Sequence, residues 1–225
     1  MSKPFSLFTS LFLLLFTACA SASPTPEAAA LRVQYTFAAR PWLTDLADCA
    51  GETILALEQR PAGLLDLSSA DLALRLGDVD LASPAYQIDS EDILVIVHPQ
   101  NSVSSLSAED VLALFTGAVT DWQEIGGTDA PVQVWVFAAG EDIQQIFAAE
   151  VLSGAPVVST ARLAAGPEAM AQAVAEDVNA VGLLTRSLLT ADVEAVYSAV
   201  TAPVLVILPD EPQGDAASLP ACLQK

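Results

Sequence analysis

Few residues in this chain are suited to covalent chemistry, and their spacing is poor for it. His98 is the only histidine, so a nucleophile–base–carboxylate arrangement has a single possible base, and that base sits beside Pro99. Cys19, Cys49 and Cys222 are isolated from one another and from the histidine, which fails zinc-ligand spacing. No G-x-S-x-G elbow, Walker loop or G-x-G-x-x-G turn occurs. Glu141 and Asp142 are adjacent carboxylates, but neighbouring helical positions do not face one another. The sequence therefore reads as a non-enzyme needing no cofactor or metal, with a small exported hydrolase as the weaker reading. Binding chemistry is better supplied. Arg40, Arg60 and Arg162 carry guanidinium forks that match oxyanions; the plainer alternative for each is an ordinary surface ion pair. Asp80, Glu141 and Asp142, with aromatic walls from Phe37, Trp42 or Tyr86, would suit a neutral or cationic solute. For the acidic pair the alternative is simple charge complementarity with a helix N-terminus. Trp122 and Trp135 read as packing residues.

The composition bounds what such residues can serve. Hydrophobic residues make up 53% of the 225 and charged residues 16%, the opposite of a disordered chain. The formal charge is −20, which repels a phosphate backbone and excludes nucleic acid as a partner class. At the N-terminus, Lys3, the apolar run Leu11 to Phe16 and the small residues Ala18, Cys19 and Ala20 form a secretory signal too short to be a permanent span. Phe16-Thr17-Ala18-Cys19 resembles a bacterial lipobox, so residues 1–18 read as a lipoprotein signal peptide and Cys19 as the lipidated residue; simple cleavage near Ser21 to Ser23 is the alternative. Residues 19–30 are small, polar and proline-containing, and read as a tether. With Cys19 lipidated, Cys49 and Cys222 remain, and an oxidising compartment favours a bridge between them over two buried thiols.

Beyond the tether, strand and helix patterns alternate. Strands are expected at 31–37, 53–57, 93–97, 132–137, around Val157–Val158, at 181–184 and 204–208. Helices are expected at 42–50, 68–76 (with Ser68 or Ser69 as cap), from Ser107 to Gly117, 141–152 and 167–178. Ser107 and Asp110 have capping-box spacing, Gly117 suits a helix end, and Pro167 suits a first helical position. Such interleaving argues for mostly parallel sheets flanked by helices, with ligands met at the carboxyl ends of strands.

Three stretches then resemble the phosphate-type periplasmic binding proteins: Val97-His98-Pro99-Gln100-Asn101-Ser102-Val103, the capped helix Leu106-Ser107 to Phe115-Thr116-Gly117, and Thr120-Asp121-Trp122-Gln123-Glu124-Ile125-Gly126-Gly127. Gly77 to Ser83 and Asn179 to Leu184 are similar to two further landmarks of that family, in the same order. The resemblance implies a two-lobed, type II periplasmic-binding-protein fold with a cleft between the lobes. It implies lobe 1 from 31–97 plus 183–225, lobe 2 from 98–182, and crossovers near Val97 and Gly182. Ligand would be contacted at Thr36, Phe37 and Arg40, at Arg60, at Asp80 and Ser83, and at Gly140, Glu141 and Asp142, with Arg162 as a further cation. Such proteins deliver a small solute to an ABC transporter permease; a homologue that has lost its ligand and acts as sensor or assembly factor is the alternative. The family holds phosphate on a Ser-Gly-Thr turn at a helix N-terminus. Here that place reads Ala138-Ala139-Gly140-Glu141-Asp142, and Pro84 replaces the Asp that follows the family's Ala-Ser pair. Two carboxylates in the first helical turn would repel a second anion.

Overall fold

The computed structural model describes residues 30–77, 83–212 and 218–224; the signal segment, the tether, Cys19 and Asp80 lie outside them. The strands are β1 (Leu31–Tyr35), β2 (Leu55–Gln59), β3 (Leu72–Leu76), β4 (Ala85–Val97), β5 (Gln133–Val136), β6 (Arg162–Leu163), β7 (Ala180–Thr185) and β8 (Glu194–Ile207). They form a mixed sheet in the order β2-β1-β3-β8-β4-β7-β5-β6. β1 pairs in parallel with β2 and β3, and β5 with β6 and β7. The centre is antiparallel, where β8 runs along β3 and the whole length of β4, and β4 also pairs with β7.

The two long central strands connect the halves. The last part of β8 lies between β3 and the first part of β4, while the last part of β4 lies beside β7. Their mutual register shifts between Gln87 and Asp89, between Ile93 and Leu94, and between Val95 and Ile96. Such bulges bend and twist a ribbon locally. Gly182 lies within β7, opposite Ile96. A Cβ there would meet Met170 Sδ at 2.5 Å, so its glycine serves close packing of a helix on the strand. Ile93 to Val97 is buried on both faces, as its unbroken apolar run requires.

The helices are α1 (Leu43–Ala50), α2 (Ala108–Thr116), α3 (Asp142–Glu150), α4 (Pro167–Glu176) and α5 (Ser218–Leu223). α2 has the capping box expected of Ser107 and Asp110, and it ends on Gly117 at φ 78°, a left-handed conformation that glycine adopts without penalty. Pro167 opens α4. α1 and α5 are joined by the Cys49–Cys222 disulfide, across a Cα–Cα distance of 5.8 Å and 173 residues of chain. One continuous buried cluster runs from Val33 and Leu46 through Ile96 to Phe147 and Met170.

Two expected elements are absent among the described residues. Residues 68–76 are not a helix. Ser68 and Ser69 instead close a turn on Asp66, whose carboxylate accepts from Ser68 N and Oγ and whose carbonyl accepts from Ser69 Oγ. Hydroxyls next to an Asp favour such local bonds over a helix cap. Leu72, Leu74 and Leu76 then alternate into β3, and all three are fully buried. Val157 and Val158 form no strand; Val158 N donates to Phe115 O, and the short strand falls at Arg162–Leu163.

Candidate functional site

The turns after β1 and β3 and the start of α3 converge on one spot. Thr36 follows β1 directly, Leu76 ends β3, and Asp142 opens α3. The Thr36 hydroxyl donates to Asp142 Oδ2 at 2.5 Å, and the Leu76 N–H donates to the same oxygen at 3.0 Å. Oδ1 accepts from Ile143 N at 2.9 Å. Thr36 and Asp142 are both fully buried. Close by, Gly63 N donates to Gly140 O at 3.0 Å, so the segment after β2 also reaches this turn. Glu141 precedes α3 without capping it, and its Oε2 is buried with no hydrogen-bond partner.

The electrostatics of this spot are opposed. Burial pushes the Asp142 carboxyl above the ordinary aspartate range, while the Thr36 hydroxyl, the Leu76 and Ile143 N–H groups and the Arg75 guanidinium pull it back. Glu141 is pushed up by burial and by Asp142 beside it. Arg75 is lowered by its own burial, against the pull of Asp142. A helix N-terminus and three donors are the equipment of an oxyanion site. Here the anion they receive belongs to the chain itself.

The other expected site residues divide into two groups. Phe37 is buried behind Thr36, its ring 4.9 Å from that of Phe137. Gly140, Glu141 and Asp142 are with it. Arg40 pairs with Glu168 at the start of α4, which ties the turn after β1 to the far half of the molecule. Arg60 is held by Glu58 at 2.8 Å, beside but outside the convergence. Arg162 lies over the Trp135 ring at 5.6 Å, on the opposite edge of the sheet. Ser83 is half-buried ahead of β4. Trp42 donates to Asp89 at 3.0 Å and Tyr86 to Glu211 at 3.2 Å, so neither aromatic lines the spot. His98 Nδ1 accepts from Gln100 N at 2.9 Å, a turn contact.

No family model matches the sequence. Solved structures do. A phosphate ABC transporter substrate-binding protein of Clostridium perfringens, with bound phosphate, superposes at a TM-score of 0.79 and 19% identity, covering 87% of this chain and 93% of that one. The fold is that of a type II periplasmic binding protein. An ABC-type phosphate transport receptor from Vibrio cholerae gives 0.69 at 17% identity with the same coverage. The reduced OxyR regulatory domain of Pseudomonas aeruginosa gives 0.60 at 16%, covering 87% and 96%. The type II fold is thus used by proteins that carry solutes and by regulatory domains. Among the described residues no helix is long and apolar enough to cross a membrane, and no group of acidic, cysteine or histidine side chains could hold a metal ion.

Three participants were not legible in the sequence. Arg75 stood inside the expected helix at 68–76, where it would have been a surface charge. Its alternation with Leu74 and Leu76, ahead of Gly77, was the available signal for a strand-end cation. Glu168 and the Leu76 N–H carry no sequence signature at all.

Proposed function

We propose that this protein is an exported solute-binding protein of the cell envelope, anchored through lipid on Cys19, which captures a small molecule between its two lobes and presents it to an ABC transporter permease. The observation that carries this reading is the convergence of strand-end turns from both halves on one buried polar spot, with β4 and β8 running through both halves. Type II folds place ligands there because strand-end N–H groups and helix N-termini meet at that face. Under this reading the lobes divide within β4 and β8, near their bulges, rather than at 97/98 and 182/183, because the bulges are where the ribbon bends.

The turn that resembles the family's phosphate-holding segment carries Asp142, whose carboxylate already takes the Thr36, Leu76 and Ile143 donors, which argues against free phosphate as the solute. That same occupancy favours a second reading, a type II domain that senses or assembles rather than transports. A thermal-shift screen of the full chain with small solutes separates them. A transport ligand at a hundred times its dissociation constant raises stability by about 2.7 kcal/mol, and silence across acids, amines, amino acids and sugars would leave the second reading.

A further inference from the structure

All six arginines lie among the described residues. Four are ion-paired: Arg32 with Asp71, Arg40 with Glu168, Arg60 with Glu58 and Arg186 with Asp92. Arg162 lies over Trp135. Among the described residues, Arg75 is the arginine with neither an ion pair nor a ring contact. Its Nε donates to Leu76 O at 3.0 Å, and one terminal nitrogen lies 3.5 Å from Gln145 Oε1. A guanidinium carries five N–H groups in a rigid fork, so most of its donors remain for another partner. They border a groove of about 390 Å³.

The groove is built from three elements. Arg75 and Gly77 come from the end of β3, Ile146 and Ala149 from the side of α3, and Val200 to Pro203 from the middle of β8. Gly77, at φ 86°, keeps it open, since a Cβ there would lie 2.9 Å from Ile146 Cδ1 and 4.0 Å from the Arg75 terminal nitrogen. The Thr201 hydroxyl is already committed as a donor to Asp92 at 2.6 Å. Arg75 is therefore the cation of a trough whose lining is half polar and half apolar, the apolar part coming from Ile146, Ala149, Val200 and Pro203. Glu150 stands at its rim, and Asp142 acts on Arg75 from behind.

We propose that this groove binds a small monocarboxylate with a short apolar body. The carboxylate would take the Arg75 fork in a bidentate pair, and the hydrocarbon would lie along Ile146, Ala149 and Pro203. Glu150, Asp142 and the acidic surface oppose a second negative charge, which sets a single carboxylate above phosphate or a dicarboxylate. The inference rests on the solute-binding reading and moves the solute from the spot filled by Asp142 into the adjoining groove, where walls from β3, α3 and β8 would all touch it.

Calorimetric titration of the intact protein tests this, with propionate, isobutyrate and isovalerate as probes and the corresponding amides and inorganic phosphate as comparisons. The carboxylates are expected to bind, and the amides and phosphate to give no heat. Arg75→Met should weaken binding about tenfold or more. Because Arg75 also faces Asp142 and its loss alters folding, Ala149→Phe provides the second arm: it fills the trough from an exposed helical position, leaves Arg75 and Asp142 untouched, and should abolish binding with melting unchanged. Carboxylate binding that survives both substitutions would overturn the groove while leaving solute binding intact. Binding of phosphate or amides without the acids would overturn the ligand class. Silence of the carboxylates with a responding solute screen would overturn the groove alone; silence of both would overturn the groove and solute transport together and leave the sensing or assembly reading.

Discussion

At Asp142 burial and hydrogen bonding act against each other, and the balance is measurable. Replacing it with Ala would strand the Thr36 hydroxyl and the Leu76 N–H without their acceptor and would remove the negative charge that acts on the half-buried Arg75. The expected loss is about 3 kcal/mol in urea unfolding, and a loss below about 1 kcal/mol would mean that the contact is incidental. The pH dependence has a defined sign. Burial raises the folded carboxyl above its unfolded value, so its contribution is greatest below the ordinary aspartate range and is lost as pH rises through the raised value. Asp142→Asn keeps the shape and removes the titration. The stability difference, parent minus Asn variant, should therefore decline as pH rises from the ordinary aspartate range through the raised value, and a flat difference would show that the donors fully offset burial. Elsewhere Asp71 is held low by Arg32, and Asp92 by the Thr201 hydroxyl and Arg186; subtracting the variant cancels them.

Among the elements, α2 is the one whose ends are most fully specified. Ser107 Oγ accepts from Asp110 N at 3.1 Å and the Asp110 carboxylate accepts from Ser107 N at 2.9 Å. Ser107→Ala should cost about 1 kcal/mol. Gly117→Ala should cost more, because φ 78° strains any residue with a Cβ and that Cβ would lie 2.5 Å from Val158 Cγ2. Chemical denaturation that ranks the two in the reverse order would indicate that the helix end relaxes freely. Caps and apolar stripes are local, which is why α2, α3 and α4 were readable from the chain. β3 was not, since Leu72 and Leu76 satisfy helical spacing and Leu72, Leu74 and Leu76 satisfy strand spacing equally. The neighbours β1 and β8 decided between them.

For the molecule as a whole, the Cys49–Cys222 bridge ties the C-terminal helix to the first helix over 173 residues. Closing so long a loop lowers the entropy of the unfolded chain by about 4–5 kcal/mol in the loop-closure model. Cys49→Ser and Cys222→Ser should therefore destabilise equally, and the double variant no further, because either change removes the same constraint. Additive losses would instead point to separate packing roles. Cys19→Ala should release the protein from membranes into the soluble fraction, and continued sedimentation with membranes would contradict the lipid anchor.

The amino-acid sequence alone determined the class of the molecule. Alternating apolar runs, caps and turn residues act over a few positions, so an α/β body, the places of α2, α3 and α4 and a cysteine pair followed from the chain, and a thirty-residue pattern ending near Trp122 pointed to a type II fold. Only the tertiary structure decided what the binding spot contains. Thr36 and Asp142 are 106 residues apart, and nothing local to either specifies that one will donate to the other. It likewise decided that Arg40 is spent on Glu168 and that Arg75, unremarkable in the sequence, is the arginine left facing a groove. Charges choose partners by distance and burial, and those are properties of the folded chain.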